Sequence, residues 1–434
     1  MEISKPLGFW SVWALAAGVM IGSGVFLLPV ALAPYGLLSF GGWILGGVGA
    51  IAIVLCFCRL AARATRDGGP YRYVRDAFGD LAGFLMGWGY WLSFWNAIAV
   101  VAIAFVGYLG FFFPSLTHST SAQGFAALAL IWTLTIVNIL GLREMSVAQI
   151  SMTVLKIIPL IAIAAVAFAF GAPANLPAFN PTNAPILPSL AAVTLITLWP
   201  FSGFESAVTC AESVQDCRRT IPRALVAAIL MVTVIYLTST LGVMLLIPAE
   251  QLAHSEAPFA DAARALGPWG ASFVAAGALI ATAGSLNGLI FTTGQIPKAI
   301  SEDAVAPGWM GRLNKGGSPY LSLILGSSLG SIQLLLNYSR GLVAAFTFLL
   351  MMTTSITLIY YLACALAELK HSWRSAKGWA ALALLACGYC LFALLGSGIE
   401  IMLWGGVLML AGVPVYFLLR RNAAGARQDA HSLG

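Results

Sequence analysis

The first long apolar run of this chain contains the stretch Gly18-Val19-Met20-Ile21-Gly22-Ser23-Gly24-Val25-Phe26, in which two glycines flank a serine. Glycines weaken a helix, and backbone can unwind at membrane depth only where protein or a water-filled cavity satisfies its polar groups. One interpretation is therefore an unwound binding site. The other is an intact helix whose Gly18-xxx-Gly22 pattern forms a packing face.

Composition places this stretch in a membrane. Of the 434 residues, 60% are hydrophobic and 9% are charged, whereas soluble domains carry about 25% charged residues. So few charges cannot cover a water-facing surface of this size, and the class is an all-α membrane protein. Runs of about 20 apolar residues predict twelve transmembrane helices, near residues 10–33, 38–62, 80–113, 122–141, 149–171, 188–210, 223–248, 268–298, 319–337, 341–368, 377–396 and 399–420.

The basic residues predict how these spans are oriented. With both termini in the cytoplasm, nearly every Lys and Arg falls in a cytoplasmic loop or tail. Only Arg264 and Arg340 fall on the other side, and Lys156 lies within a span. The bias follows the positive-inside rule and predicts a multi-pass inner-membrane protein with cytoplasmic termini. The short, nearly neutral segment before the first run predicts a membrane helix there and not a cleaved signal peptide.

A loop rich in proline and asparagine divides the spans into two halves. We predict a first five-helix repeat over residues 1–171, a periplasmic connecting loop over 172–187 and a second, inverted five-helix repeat over 188–368. Two C-terminal helices and a cytoplasmic tail occupy 369–434.

The first span of the second half carries its own interruption. It reads Leu198-Trp199-Pro200-Phe201-Ser202-Gly203-Phe204-Glu205-Ser206, with Pro200 and Gly203 at mid-span. Matching breaks in corresponding helices point to the site of an inverted-repeat transporter, which favours binding over packing. Half-helix N-termini suit a carboxylate and freed carbonyls suit an ammonium, so we predict a zwitterionic amino acid as ligand.

Two ionisable residues within spans are functional candidates because buried charge in a membrane is costly. Glu205 could gate, bind a proton or meet a cationic substrate; the alternative is a structural carboxylate bonded to unwound backbone. Lys156 could occupy the place of a bound cation beside the first break. Its alternative is snorkelling, since it lies about two turns from a predicted helix end.

Several motifs together resemble one family, and the resemblance covers nearly the whole chain. They are Ile21-Gly22-Ser23-Gly24-Val25-Phe26-Leu27-Leu28-Pro29, Gly68-Gly69-Pro70-Tyr71 with Ala77-Phe78-Gly79, Trp199 to Ser206, Ala257-Pro258-Phe259, and Gly284-Ser285-Leu286. The chain resembles the amino acid–polyamine–organocation transporter superfamily, and in particular bacterial arginine/agmatine and lysine/cadaverine antiporters. The resemblance implies discontinuous first and sixth helices and alternating access.

The resemblance also implies roles for individual residues. It implies a substrate site formed by Ile21, Ser23, Gly24, Tyr90, Trp199, Phe201, Ser202 and Leu289. Ser23 and Gly24 would bind the carboxylate, while Glu205 would respond to protons.

Two positions depart from the arginine/agmatine antiporters. Leu289 stands where those proteins have a tryptophan packed on the guanidinium stem, which argues against an arginine substrate. Lys156 matches a fifth-span lysine typical of amino acid transporters that work without sodium.

The predicted function is a secondary transporter of amino acids or related amines, by exchange or proton coupling. A polyamine or arginine/agmatine-type exchanger is the alternative, and a membrane-embedded enzyme or a channel fits less well. The expected partners are a small amino acid or amine, protons and lipid, with a homodimer left open. We expect no cofactor, metal or nucleic acid, since no nucleotide motif or zinc spacing is present.

Overall fold

The computed structural model describes residues 8–22, 25–63, 70–140, 145–205, 208, 214, 216–302 and 308–419. Apart from an isolated bridge at Val214, its regular elements are helices. They are α1 (Phe9–Met20), α2 (Leu28–Leu32), α3 (Leu38–Ala61), α4 (Pro70–Phe78), α5 (Asp80–Phe112), α6 (Thr120–Leu140), α7 (Met145–Phe170), α8 (Ile186–Leu198), α9 (Cys217–Leu246), α10 (Ala249–Leu252), α11 (Pro258–Ala262), α12 (Pro268–Glu302), α13 (Tyr320–Tyr338), α14 (Leu342–Ser372), α15 (Lys377–Leu395) and α16 (Gly398–Leu410).

Nine helices in the described part of the chain are long and apolar enough to cross a membrane. A tenth span is formed if Phe9–Met20 and Val25–Tyr35, bent by 49° relative to each other, are counted together. Shorter apolar helices cover Lys156–Phe170 and Ile186–Phe201. The prediction of an all-helical membrane protein is confirmed; the count of twelve spans and the inverted repeat stay predictions.

The outer surface is apolar, as a lipid-facing surface must be. Phe168 is 97% exposed, Ile399 79% and Leu395 74%. Patches of this kind are rare on soluble monomers, so the burial pattern supports the membrane class independently of helix length.

The long helices form two groups. The first, here called the broken-helix group, contains α1, α3, α8 and α9; in it α9 packs on α1 and α3, and α3 packs on α8. The second, called the scaffold group, contains α5, α6, α12 and α13. In the described residues, α7 packs against both α9 and α12, and α14 packs against both α3 and α5. These two helices therefore bridge the groups. Relative movement of the groups would change the contacts that α7 and α14 make.

Candidate substrate site

The first span is interrupted where the glycine-serine stretch lies. Helix α1 ends at Met20, Ile21 is extended with φ −85° and ψ 110°, and Gly22 has a φ of +139°. A 3₁₀ turn begins at Val25. The φ of Gly22 is one that residues with a Cβ rarely adopt. The predicted carboxylate-binding residues Ser23 and Gly24 lie outside the described residues.

The sixth predicted span is interrupted in a similar way. Helix α8 ends at Leu198, a 3₁₀ turn covers Trp199–Phe201, and Ser202 is extended. Gly203 has a φ of +99°. The Ser202 hydroxyl donates a hydrogen bond of 2.5 Å to the Trp199 carbonyl and so satisfies one carbonyl freed by the break.

The two interruptions lie against each other. A methyl group at Gly203 would collide with the side chain of Val19, in the last turn of α1. Tyr236 of α9 joins them as well: its hydroxyl donates to the Met20 carbonyl at 2.8 Å, and its ring lies 5.8 Å from that of Phe201. The structure therefore brings the two predicted breaks into one location.

The side chain of Glu205 is buried at the second break and bonds to its backbone. It is 2% exposed. Its Oε2 accepts hydrogen bonds from the Tyr361 hydroxyl at 3.0 Å and from the Gly203 backbone N–H at 3.1 Å. The carboxylate thus ties unwound backbone to α14. Both interpretations of Glu205 are compatible with this geometry, because a proton arriving on Oε2 would disturb the same two bonds.

Lys156 reaches the first break from the bridging helix α7. Its side chain is buried, with 2% exposure. A methyl group at Gly22 would lie 2.8 Å from Lys156 Nζ and 2.6 Å from Ser285 Oγ of α12. The ammonium therefore lies between the broken helix and the scaffold group, and the side chain does not extend to the surface as snorkelling requires.

The other residues predicted for the substrate site lie at or near the two breaks. Ile21 and Phe201 are fully buried and Trp199 is 3% exposed. Tyr90 of α5 packs on Tyr360 of α14 with ring centroids 5.2 Å apart. Leu289 is half-buried and lies four residues beyond Ser285, which puts both on one face of α12. Ile21, Trp199 and Phe201 are thus shielded from solvent in this conformation, whereas Tyr90, Ser202 and Leu289 are partly exposed.

Tyr361 and Tyr236 are not among the site residues predicted from the sequence. Their hydroxyl groups sit in apolar spans, where every polar group needs a partner inside the protein. That requirement predicts that each tyrosine hydroxyl has a partner, but it does not predict which residue the partner is. The bonds join residues 156 and 216 positions apart.

Two other features of the described residues lie elsewhere. A small apolar crevice between α5, α12 and the segment that follows α16 contains none of the predicted site residues; it is lined by Phe84, Gly87, Trp88, Trp91, Pro297, Ile300, Met310, Val415 and Leu419. No group of three His, Cys, Asp or Glu side chains within the described ranges is placed to hold a metal ion.

Similarity to known proteins agrees with this architecture over nearly the whole chain. Residues 7–417 match the model of a family described as amino acid permease. The chain is 30% identical over 460 residues to the putative arginine/ornithine antiporter of Bacillus subtilis (strain 168), covering 96% of this chain and 97% of that protein. It is 29% identical over 409 residues to the cadaverine/lysine antiporter of Escherichia coli (strain K12), covering 92% and 91%. The putrescine transporter PotE of the same strain is 28% identical over 426 residues, covering 96% of each chain.

The membrane fold with two adjoining helix breaks, taken with these relatives, defines a multi-pass membrane transporter and not an enzyme. The chain belongs to the amino acid permease family. The prediction of a secondary transporter of amino acids or amines is thereby confirmed at the level of the family, as is the resemblance to the antiporters.

Proposed function

We propose that this chain carries an amino acid or a related amine across the inner membrane by alternating access, through exchange or proton coupling. The observation that supports the proposal most strongly is the meeting of the two helix breaks, with Gly203 against Val19 and with Lys156 and Glu205 beside them. Alternating access around a fixed central site needs two groups of helices that can rock against each other. The proposal includes twelve spans in two inverted five-helix repeats, with cytoplasmic termini.

The proposed binding mode follows from the break geometry. Ser23 and Gly24 hold the substrate carboxylate, since backbone N–H groups at a half-helix start favour an anion. Ile21, Trp199, Phe201 and Ser202 enclose the amino group and the start of the side chain. Tyr90 and Leu289 border the pathway from the scaffold side.

Lys156 has a distinct proposed role in coupling. Its ammonium lies between Gly22 and Ser285, where it can hold carbonyl oxygens that the break frees from α1. A fixed positive charge there removes the need for a sodium ion at that place. Transport is therefore expected to proceed without a sodium gradient.

A second candidate function is exchange of a cationic amino acid for a diamine. It is favoured by the relatives, whose names specify cadaverine, lysine, arginine, ornithine and putrescine. A dication needs more than one carboxylate in its site. Among the described residues, the almost fully buried carboxylates are Glu205 and Glu368, and only Glu205 lies at a break. This distribution favours the amino acid over the diamine.

Purified protein in proteoliposomes would test both candidates directly. We expect saturable uptake of at least one labelled amino acid, accelerated by unlabelled substrate inside the vesicles and independent of sodium. Diamines loaded inside would separate the second candidate from the first, because only an amino acid–diamine exchanger is driven by them. Failure of every standard amino acid and diamine to be taken up or exchanged would refute the proposal.

Changing Glu205 to glutamine tests its response to protons. The amide keeps the shape of the side chain and can still accept from Gly203, but it does not ionise. We expect the dependence of the transport rate on pH to flatten, with folding retained. Initial uptake rates across a pH series, compared with the wild type and with Tyr361→Phe, would measure this. An unchanged profile in Glu205→Gln would remove the proton role, while Tyr361→Phe should shift the profile without flattening it.

A further inference from the structure

The first break is held on both sides by buried tyrosine hydroxyls. Tyr236 donates to the carbonyl of Met20, the last residue before the break, at 2.8 Å. Tyr108, in the last turns of α5, donates to the carbonyl of Phe26, just after the break, also at 2.8 Å. Both tyrosine side chains are fully buried. Neither bond belongs to a helix ladder, so each is a separate attachment of the broken span.

The Tyr108 hydroxyl also holds a third segment. It accepts a hydrogen bond of 3.2 Å from the backbone N–H of Phe259, in the short loop helix α11. The rings pack as well: Phe26 lies 6.0 Å from Tyr108 and 5.5 Å from Phe259 in edge-to-face contacts. One hydroxyl thus joins α5, the distal part of the first span and α11.

The loop approaches α5 closely at this junction. A methyl group at Gly107 would collide with the backbone carbonyl oxygen of Glu256. The loop is ordered within itself, because Ser255 Oγ donates to Asp261 at 2.6 Å and Arg264 pairs with Asp261 at 3.1 Å. It therefore meets α5 as a preformed unit.

The two tyrosines differ in the helix group to which they belong. Tyr236 lies on α9, which packs with α1 in the broken-helix group. Its bond to Met20 stays inside one group. Tyr108 lies on α5 of the scaffold group, whereas Phe26 lies in the 3₁₀ turn directly before α2, which contacts α8 and α9 of the broken-helix group. The bond from Tyr108 to Phe26 therefore joins the scaffold group to a segment that packs on the broken-helix group. In the proposed transport cycle, separation of the groups at this end would preserve the Tyr236 bond and break the Tyr108 bond.

We propose that Tyr108 is a positioning residue of the transport cycle. Its hydroxyl attaches the distal half of the first span and loop helix α11 to the scaffold group. This junction closes the substrate site on the side of the membrane where α11 and the C-terminal end of α5 lie. The inference rests on the proposed transport function. With phenylalanine at position 108, the Phe26 carbonyl and the Phe259 N–H lose their bonds to the Tyr108 hydroxyl while the site is closed to water. They regain partners in water once it opens, so the closed arrangement is selectively destabilised.

The test measures the apparent affinity for the transported amino acid from each face of the membrane in proteoliposomes. A membrane-impermeant reagent inactivates the protein molecules that are inserted in one of the two orientations. We expect Tyr108→Phe to strengthen the apparent affinity from the α11 face and weaken it from the opposite face. The ratio of the two KM values should change by about tenfold, the effect of losing one to two buried hydrogen bonds. Tyr236→Phe deletes a hydroxyl of equal burial but should weaken both affinities in parallel.

Gly107→Ala gives a second, independent variant. It displaces the loop backbone while keeping the Tyr108 hydroxyl, and it should move the KM ratio in the same direction. The inference is overturned if Tyr108→Phe leaves the ratio within about twofold of the wild type, or if it changes both affinities in parallel as Tyr236→Phe does. If Tyr108→Phe does not fold, a Gly107→Ala ratio equal to that of the wild type overturns it. A wild-type protein that transports nothing would instead count against the proposed function.

Discussion

Replacing Lys156 with alanine is expected to lower the maximal transport rate about a hundredfold, or roughly 2.7 kcal/mol at 1.36 kcal/mol per factor of ten. The reason lies in its position: the ammonium is buried between Gly22 of the broken span and Ser285 of the scaffold group. In the proposed role the ammonium holds carbonyls at the end of α1, and alanine would remove that cation from beside Gly22. The conformation with both breaks assembled should become rare.

Lys156→Met is the matched variant for this prediction. Methionine fills most of the space of the lysine stem but carries no charge. If charge is what matters, methionine and alanine should impair transport to a similar degree, and sodium should not restore it. Initial rates at saturating substrate would measure the effect. Wild-type rates for Lys156→Met would show that the stem, and not the ammonium, is required.

The second large effect is expected on stability, at a buried ionic cluster. Glu368 of α14 has a side chain with 0% exposure and pairs with Arg59 of α3 at 3.0 Å and with Arg63, two residues beyond the end of α3, at 3.1 Å. Ser372 donates to the same carboxylate. Arg59 also lies over the Trp379 ring, 4.5 Å from its centroid. The cluster attaches the broken-helix group to the bridging helix α14 and to α15.

The two sides of this cluster should respond unequally to mutation. The arginine side chains are 28% and 35% exposed, so after Glu368→Gln they can turn to water. Removing both arginines instead leaves a carboxylate buried without compensation, which costs about 3–5 kcal/mol when a buried pair is broken. We therefore expect Arg59→Met with Arg63→Met to destabilise the protein severely, and Glu368→Gln to cost about 1–2 kcal/mol.

Unfolding of the purified variants in detergent, followed by heat or denaturant, would measure this difference. Arg340→Met is a suitable control, because Arg340 pairs with Glu400 where both side chains are 40% or more exposed, and exposed pairs contribute about 0–1 kcal/mol. Equal destabilisation by Glu368→Gln and by the double arginine variant would contradict the assignment of Glu368 as the desolvated member.

The sequence predicted the long spans closely because an unbroken apolar run leaves little choice of structure. The run at 38–62 is the helix Leu38–Ala61, and the run at 80–113 is Asp80–Phe112. The two interruptions were also readable, since glycine and proline at mid-span weaken a helix by known amounts. The contact between the two interruptions, at Val19 and Gly203, was expected only because the two breaks fall in corresponding helices of the two predicted halves.

What the sequence could not supply were the partners of isolated polar groups. Tyr108, Tyr236, Tyr361 and Glu368 each needed a partner inside the protein. Ser372 is near Glu368 in sequence, but the other partners named here lie 82 to 309 residues away along the chain. Lys156 shows the same limit. Its distance from the helix end allowed snorkelling as readily as burial, and only the packing of α7 against α12 decides where the ammonium lies.

In the proposed mechanism, substrate binds where the two helix breaks meet. A structure of the protein with the amino acid identified in the transport assays would test it most directly. We expect substrate density between residues 21–25 and 199–205, with the carboxylate at Ser23 and Gly24 and the amino group facing Trp199 and Ser202. Density elsewhere, for example in the apolar crevice beside Trp88, with the breaks unoccupied, would contradict it.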